Sequence, residues 1–498
     1  MTIDPRTPVL IGTGQFLHRT SSFGGGLDDA LDASALMAEA IRLAAADAGL
    51  TSVPQPDSWR VISLLSWRYG DPAWVIARHL GLEPRDTAIT TMGGNTPQTL
   101  LNTTAIEIQR GEVDLVVLTG GEAWRSRMRA RAAGAELTWP KAPADRHPRV
   151  LGDELQMDLA AERERGITMP VQVYPMFETA IRAAAGRSVE EHQQVIGELW
   201  ARFSEVAAGN PNAWLREART AQEIITPTAK NRIIGFPYTK SMVSNNDVDM
   251  AAAVIMCSAE RAAALGVPRD RWVFVHSGTD CHEHNFLSNR ISLAETPAIE
   301  LGGRLALQLA GMGIDDIELI DLYSCFPSAV QLGAQSLGLS LDRPLTVTGG
   351  LCFAGGPWNS YVMHSIASMA QAVRERPGAN GLVWANGGYA TKHAFGVYST
   401  TPPAHGFRHA YPQAEIDAMP RRELANGADA AGLATIEAYT VMHSRDGQPE
   451  TALAACLLPD GRRAWGNSTD ISLTSAMCAG EWVGRDVTLG ASGEMTAD

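Results

Sequence analysis

Apolar and polar positions in the first part of the chain follow two alternating periodicities. Apolar side chains recur at helical spacing in residues 34–50 and 71–82, and these segments are separated by short runs of strand length. The strand-length runs are residues 9–11, 61–65, 87–91 and 113–118. Strands that alternate with helices in this way predict a mostly parallel sheet covered by helices on both faces.

A second series with the same order begins at residue 272. Its strands are expected at residues 272–275, 317–322 and 381–385, with helices and a glycine-rich loop between them. The repeated order predicts two related α/β halves, residues 1–260 and 261–405. Residues 124–235 interrupt the first half with a segment rich in Arg, Pro and Trp, which we expect to form an inserted loop domain.

The pattern changes again after the second half. The sequence Thr401-Pro402-Pro403 has the composition of a linker, and residues 434–490 show short runs with period-two alternation around turns. This pattern predicts a small antiparallel, barrel-like β domain over residues 406–498. Its few basic and aromatic residues do not favour binding of single-stranded nucleic acid.

Composition and charge narrow the class of protein. Apolar residues make up 45% and charged residues 19% of the 498 residues, which is typical of globular chains. A net charge of −14 disfavours general nucleic-acid binding. The chain has no apolar run long enough for a bilayer span and starts with a polar segment, so we expect a cytoplasmic protein. Its six cysteines are scattered without a CxxC pair, which indicates free thiols.

Several glycine-rich and polar motifs share the order and spacing of a known family. They are MGGNTPQ at residues 92–98, VDLVVLTGGE at 113–122, NPNA at 210–213, DVDMAAA at 247–253, LYSCF at 322–326 and GGP at 355–357. Together they resemble the thiolase superfamily, and specifically sterol-carrier-protein-X-type thiolases and bacterial thiolase-like proteins of type 1, which carry an extra C-terminal β domain. The resemblance implies a five-layered α-β-α-β-α core.

The resemblance also implies an activity, a ligand and a mode of assembly. Thiolases act on acyl-CoA thioesters and CoA, need no further cofactor, and are acyltransferases of the acetyl-CoA acetyltransferase type. Homo-oligomers are usual among them, and some thiolase-fold proteins pair with a small acyl-CoA-binding partner. We therefore expect acyl-CoA or CoA as the ligand, while the oligomeric state stays open.

The chain departs from the family at its reacting residues. The family's nucleophilic Cys falls on Gly94, and the sequence has no Cys before Cys257. The His of the family's His-Asp-Cys-Phe motif is Tyr323, although Cys325 of that motif is kept. The His of the Gly-His-Pro motif is Gly356. An acyl-enzyme of the standard kind is therefore not expected.

The residues that remain predict a different chemistry. A Tyr with a depressed pKa can transfer a proton, and backbone N–H groups can hold an enolate oxygen, so a retro-aldol or retro-Claisen step is conceivable. Thiolase-fold steroid side-chain aldolases look similar in having Tyr at the position of Tyr323. The candidate site residues are Gly94, Tyr323, Cys325, Gly356, Asn386, Tyr389 and His393.

Each candidate also has a structural interpretation. Tyr323 could simply pack and form a hydrogen bond at a strand end, and Cys325 could be a small buried hydrophobe. We expect His393 at the surface, because most loop histidines are solvated. The Cys281-His282-Glu283-His284 sequence lacks a third, distant ligand and does not predict a metal site.

Arg125, Arg127 and Arg129 are candidates for the phosphates of CoA. They follow the strand that ends at Gly121, and in the family the insertion binds CoA. Their alternate spacing does not define one helix face, so a solvated basic stretch is the other interpretation. If the chemistry is lost altogether, the chain would be a silent CoA- or acyl-CoA-binding protein or a partner subunit.

Overall fold

The structure is a computed structural model that describes residues 3–19 and 29–497. Strands and helices alternate through the first half and its insertion. In chain order they are β1 (Pro8–Leu17), α1 (Ala33–Asp47), β2 (Ser58–Val61), α2 (Pro72–His79), β3 (Thr87–Thr90), α3 (Thr96–Arg110), β4 (Leu115–Ala123), α4 (Trp124–Ala133), β5 (Arg149–Leu151), α5 (Ala160–Glu164), α6 (Pro170–Ala184), α7 (Val189–Gly209), α8 (Ala221–Ile225), β6 (Ile233–Gly235), β7 (Tyr238–Thr239), β8 (Asp249–Ser258) and α9 (Ala259–Ala264).

The second half and the C-terminal domain follow. The elements of the second half are β9 (Val273–His282), α10 (Pro297–Ala310), β10 (Leu319–Leu322), α11 (Pro327–Ser336), α12 (Gly350–Phe353), α13 (Tyr361–Glu375), β11 (Asn380–Gly387) and β12 (Lys392–Ser399). The remaining elements are β13 (Arg408–Ala410), α14 (Gln413–Asp417), β14 (Gly432–His443), β15 (Pro449–Leu457), β16 (Arg463–Ser468), α15 (Ile471–Ala479), β17 (Asp486–Leu489) and β18 (Met495–Thr496).

The two halves have the same sheet topology, as predicted. The first sheet runs β1-β8-β4-β2-β3 and the second runs β9-β12-β11-β10. In both, the first two neighbouring pairs are antiparallel and the next pair is parallel. The sheets meet at a short β1–β9 contact that includes Val9 and Phe274. In the second half, irregular residues 345–348 stand in the place of β3, and the Leu345 carbonyl accepts the Leu322 N–H at 2.9 Å.

The helices form three layers around these two sheets. Helix α1 packs on the outer face of the first sheet and α10 on the outer face of the second. Helices α3 and α13 lie between the sheets and contact both, which gives the expected five layers. Because α3 is enclosed, even its polar side chains are buried, and Gln98 accepts a hydrogen bond of 2.6 Å from the Tyr398 hydroxyl.

The C-terminal domain is a small barrel, as the alternating pattern predicted. Its antiparallel strands run β16-β15-β14-β17-β18. The Asn467 N–H on β16 donates to the Gly493 carbonyl beside β18 at 2.9 Å, which brings the two ends of the sheet together. The β6–β7 hairpin of the insertion pairs with β14 through Gly235 and Met442, so the insertion and the barrel share one sheet.

None of the helices in the described residues is both long and apolar enough to cross a bilayer.

Candidate active site

A cavity of about 310 Å³ lies where the N-terminus of α3 meets the loops after β10 and β11. We call it the inner cavity. Both halves and the insertion contribute to its wall, because Gly94 comes from the first half, Tyr323, Cys325 and Asn386 from the second, and Tyr174 from α6. The remaining lining residues are Met92, Gly93, Met157, Met169, Pro170, Val171, Val243, Ser244, Asn246, Phe326, Leu351, Trp358, Asn359, Gly387, Gly388 and Lys392.

Gly94 has no room for a side chain. A Cβ atom there would lie 2.5 Å from the Tyr323 hydroxyl oxygen and 2.5 Å from the Asn386 carbonyl oxygen. The hydroxyl of Tyr323 therefore fills the space into which a side chain at position 94 would extend. Positions 94 and 323 are therefore coupled, because a side chain at position 94 would collide with the side chain of Tyr323.

Tyr174 completes a buried polar cluster that the sequence motifs did not indicate. Its hydroxyl accepts hydrogen bonds from Asn386 Nδ2 at 2.9 Å and from the Ala390 N–H at 3.0 Å, and it donates to the Gly388 carbonyl at 3.1 Å. It also interacts with the thiol of Cys325. Tyr174 lies on an ordinary apolar helix, so no local pattern in the sequence could have marked it.

The hydroxyl and thiol groups of the inner cavity stay protonated near neutral pH. Burial raises the pKa of Tyr323 well above its ordinary value, and the nearby Cys325 raises it further. Burial also raises the pKa of Cys325 to about 12, against the lowering effect of Tyr174. The expectation of a tyrosine with a depressed pKa is wrong, because neither group has a cation beside it to stabilise the charged form.

Backbone donors remain available at this point. Among the described residues, the N–H groups of Gly94 and Gly388 have no hydrogen-bond partner, and both residues line the inner cavity. Gly94 lies just before α3, whose fifteen residues place the positive end of a helix dipole there. These two N–H groups are therefore candidate donors for an oxygen that develops negative charge in the inner cavity.

Three of the predicted site residues lie outside the inner cavity. Tyr389 is buried, and its carbonyl accepts a hydrogen bond of 2.7 Å from Arg290. Gly356 lies behind the wall, where its N–H already donates to the Asn245 carbonyl at 2.9 Å. His393 is 1% exposed, which corrects the surface assignment, because β12 is the inner strand of a covered sheet. Burial lowers the pKa of His393 to about 3, so its ring is neutral.

Lys392 is a further cavity residue that the sequence analysis did not identify. It directly precedes His393, is 8% exposed and lines the inner cavity. Its Nζ donates to the Met92 carbonyl. Burial lowers the pKa of Lys392, and the charge of Glu154 partly opposes this effect.

A second, basic cavity of about 560 Å³ adjoins the inner cavity and shares Val243, Ser244 and Asn246 with it. Its cationic lining residues are Arg125, Arg219, Lys230, Arg232 and Lys240. The sequence analysis identified only Arg125 among these five residues. The other four are spread over residues 219–240 and form no motif.

The remaining two predicted arginines do not line this basic cavity. Arg127 donates to the Leu65 carbonyl and lies 5.4 Å from the centre of the Trp124 ring. Arg129 is half-buried on α4. Arg125 itself forms an ion pair with Asp247 at the rim of the cavity. No cluster of three or more His, Cys, Asp or Glu side chains suited to a metal ion occurs among the described residues.

Comparison with known proteins identifies relatives of both the core and the barrel. A family model described as the thiolase-like protein type 1 additional C-terminal domain matches residues 412–494. The whole chain is 31% identical to a monomeric SCP2-thiolase-like protein type 1 from Mycobacterium smegmatis, over 100% of both chains and with a TM-score of 0.83. A search of the curated proteins finds no match.

Two more distant structures share the fold of the core. One is the Ltp2–ChsH2(DUF35) aldolase, 18% identical over 80% of this chain and 99% of that chain, with a TM-score of 0.61. The other is the dimeric peroxisomal thiolase of Saccharomyces cerevisiae, 14% identical over 80% of this chain and 98% of that chain, with a TM-score of 0.55. Both matches stop short of the full chain.

Proposed function

Because the chain belongs to the SCP2-thiolase-like proteins of type 1, we propose that it binds an acyl-CoA thioester and cleaves a carbon–carbon bond of the acyl group without an acyl-enzyme. One observation carries this proposal. The basic cavity adjoins the inner cavity, and at Gly94, the position that the resemblance assigns to the nucleophile, the hydroxyl of Tyr323 fills the space a side chain would need.

The lining of the two cavities suits the two parts of an acyl-CoA, the phosphates and the acyl group. Phosphate groups are best bound by Arg and Lys side chains, and five such residues line the basic cavity. The shared wall at Val243, Ser244 and Asn246 would then contact the pantetheine arm. The inner cavity is lined largely by apolar side chains, including Met157, Met169 and Phe326, which suits an acyl group.

The chemistry proposed for the inner cavity is a retro-aldol or retro-Claisen cleavage. Both reactions expel a thioester enolate, whose oxygen would be held by the free N–H groups of Gly94 and Gly388. The protonated hydroxyl of Tyr323 could then supply the proton that the enolate carbon needs. No residue of the enzyme has to carry the acyl group. The Ltp2–ChsH2(DUF35) aldolase has the same core fold, which is consistent with this class of reaction.

Binding is tested by titrating CoA into the protein and measuring the dissociation constant by calorimetry. Lys230→Gln and Arg232→Gln should each weaken binding by roughly 5- to 100-fold, because each removes a charge-assisted contact worth about 1–3 kcal/mol. Arg78→Gln is the matched control, since Arg78 is exposed and pairs with Glu83 at 2.9 Å away from both cavities. Equal affinities for all variants would place CoA elsewhere.

Turnover is tested by incubating the protein with a 3-hydroxyacyl-CoA, and separately with acetoacetyl-CoA plus CoA, and separating the products by liquid chromatography. We expect cleavage that Tyr323→Phe lowers by roughly 10²–10⁴-fold. Cys325→Ala should also slow it, whereas Cys478→Ala, in the C-terminal domain, should not. Intact-protein mass spectrometry should find no acyl adduct, and an adduct would contradict the proposed mechanism.

A catalytically silent acyl-CoA-binding protein is the second candidate. It is favoured by the raised pKa values of Tyr323 and Cys325, since neither group is a ready base. Tight CoA binding without any turnover would support this candidate. Turnover that appears only when a small acyl-CoA-binding companion is added would instead identify the chain as a partner subunit.

A further inference from the structure

Lys392 lies in the wall between the inner cavity and a further cavity of about 200 Å³. Five threonines, more than any other residue type, line this further cavity, and Thr91, Thr96 and Thr99 are among them; we call it the threonine cavity. The chain makes room for the amine at Gly93, where a Cβ would lie 2.8 Å from Lys392 Nζ. Gly93 also has a φ of 155°, which other residues rarely adopt.

The amine of Lys392 is buried without a carboxylate partner. No carboxylate oxygen in the described part of the chain lies within 4.0 Å of its Nζ, and its hydrogen-bond acceptor is the neutral Met92 carbonyl. The nearest acidic influence is Glu154, whose carboxylate accepts the Met92 N–H at 3.3 Å. A buried ammonium is costly unless it is paired, so a purely structural role would be expensive for the fold.

We propose that Lys392 is the general base of the cleavage reaction, and that the substrate is a 3-hydroxyacyl thioester; this inference rests on the proposed function. Neutral Nζ accepts the proton of the 3-hydroxyl group. The oxygen forms a carbonyl with C3, the C2–C3 bond breaks, and its electron pair passes to C2 as the thioester enolate. The hydroxyl of Tyr323 protonates the enolate at C2, and the proton held by Lys392 returns through water to the Tyr323 oxygen, which restores both groups. The products are an aldehyde or ketone and a shortened acyl-CoA.

Three titratable groups near Lys392 are poorly suited to act as the base. Burial raises the pKa of Tyr323 well above its ordinary value and that of Cys325 to about 12, and it lowers the pKa of His393 to about 3. On the side of the threonine cavity, Asp280 accepts hydrogen bonds from Asn102 and His409 and is engaged in the fold. The other titratable groups that line this cavity are Asp153, Cys281, His282 and Tyr411.

The test compares two substitutions of Lys392 with a lysine elsewhere. Lys392→Met keeps the length of the side chain but removes the amine. Lys392→Arg keeps a cation that can donate to the Met92 carbonyl but cannot accept a proton at these pH values. Lys141→Met is the control, because Lys141 is exposed and contacts the ring of Trp67. For each protein, turnover of a 3-hydroxyacyl-CoA and the affinity for CoA are measured over a range of pH.

We expect both Lys392 variants to bind CoA as the unmodified chain does and to lose roughly 10²–10⁴-fold in kcat. In the unmodified chain, kcat should rise with pH through an apparent pKa below the ordinary lysine value of 10.5, and this rise should be absent from the residual activity of Lys392→Met. The inference is overturned if Lys392→Arg keeps full kcat, which would show a structural cation. It is also overturned if Lys392→Met turns over normally.

Failure of the proposed function gives a different result. In that case the unmodified chain and Lys141→Met would themselves show no cleavage of the 3-hydroxyacyl-CoA, whatever the pH. If the unmodified chain and both Lys392 variants all cleave the substrate, the inference about Lys392 is wrong but the proposed function stands. If Lys392→Met loses CoA binding as well, the comparison rests on Lys392→Arg.

Discussion

Gly94 lies at the N-terminus of α3, and the Tyr323 hydroxyl occupies the space that a side chain at position 94 would need. A Cβ on residue 94 would be 2.5 Å from that hydroxyl and 2.9 Å from Tyr323 Cζ. It would also be 2.5 Å from the Asn386 carbonyl, which belongs to a buried strand and cannot rotate away. A cysteine introduced at position 94 alone would therefore collide with Tyr323 and with the Asn386 carbonyl.

We expect Gly94→Ala to lower the free energy of unfolding by about 1–3 kcal/mol, the usual cost of an overpacked core position. In a Tyr323→Phe background the cost should fall by about 1 kcal/mol, because the contact with the Tyr323 hydroxyl, one of the three close contacts, is gone. Denaturant unfolding of the four proteins measures this coupling. Gly209→Ala serves as the control, since no atom lies within 4 Å of its added Cβ, and it should change stability by less than about 0.5 kcal/mol. Additive effects at positions 94 and 323 would contradict the shared space.

Four residues of the inner cavity could be predicted from the sequence, and two others could not. Gly94, Tyr323 and Cys325 stand in sequence motifs and Asn386 follows the strand predicted at residues 381–385, and the structure brings all four into the inner cavity. Tyr174 and Lys392 could not be found in this way, because each reaches the cavity through contacts between elements that are distant in sequence. The raised pKa values were equally hidden, since they depend on burial and not on the type of residue.

A buried arginine at the start of β16 connects the barrel to the second half of the core. Arg463 is fully buried and forms two hydrogen bonds of 2.8 Å with the carboxylate of Glu437. Its Nη1 also donates to the carbonyls of Leu287 at 2.6 Å and Arg290 at 2.7 Å, which belong to the second half. Removal of this side chain takes away both hydrogen bonds of the Glu437 carboxylate and leaves several unsatisfied carbonyls at the interface.

We expect Arg463→Ala to lower the free energy of opening of the barrel by about 3 kcal/mol or more, as for other buried pairs that lose one partner. Hydrogen exchange read by mass spectrometry should accelerate in residues 287–290 and 432–468. Arg462→Ala is the matched neighbour, because Arg462 pairs with Asp460 at the surface and should contribute under about 1 kcal/mol. Equal exchange in the two variants would show that Arg463 does not hold the barrel.

The order of strands and helices could be predicted from the sequence, but some of the strand pairings could not. The repeated order predicted two related halves, since local periodicity is set by each element's own residues. The three-residue strand β5 and the pairing of the β6–β7 hairpin with β14 carry no such pattern. Short strands of this kind exist because a partner edge is nearby, which only the folded chain provides.

The outer strands of the two core sheets, β3 and β10, are each covered by a further segment of the chain. At one end β5 pairs in parallel with β3, with Ile89 opposite Val150, and Arg149 holds it there through hydrogen bonds of 3.0 and 2.9 Å to Asp86. At the other end, residues 345–348 cover β10, and the carboxylate of Asp321 accepts the Val347 N–H at 2.9 Å. An uncovered edge strand is a template for pairing with a second chain, and here neither β3 nor β10 offers one.

The whole molecule is therefore expected to be a monomer. Light scattering after size-exclusion chromatography should give a mass near 53.3 kDa over a wide range of concentration. Val150→Pro breaks the pairing of β5 and should release the β3 edge, so larger species should appear as the concentration rises. Val150→Ala keeps the backbone pairing and should remain monomeric, because the Val150 side chain is 67% exposed and contributes little to the core. A mass twice as large for the unmodified chain would mean that another surface mediates association and that the covered edges do not decide the oligomeric state.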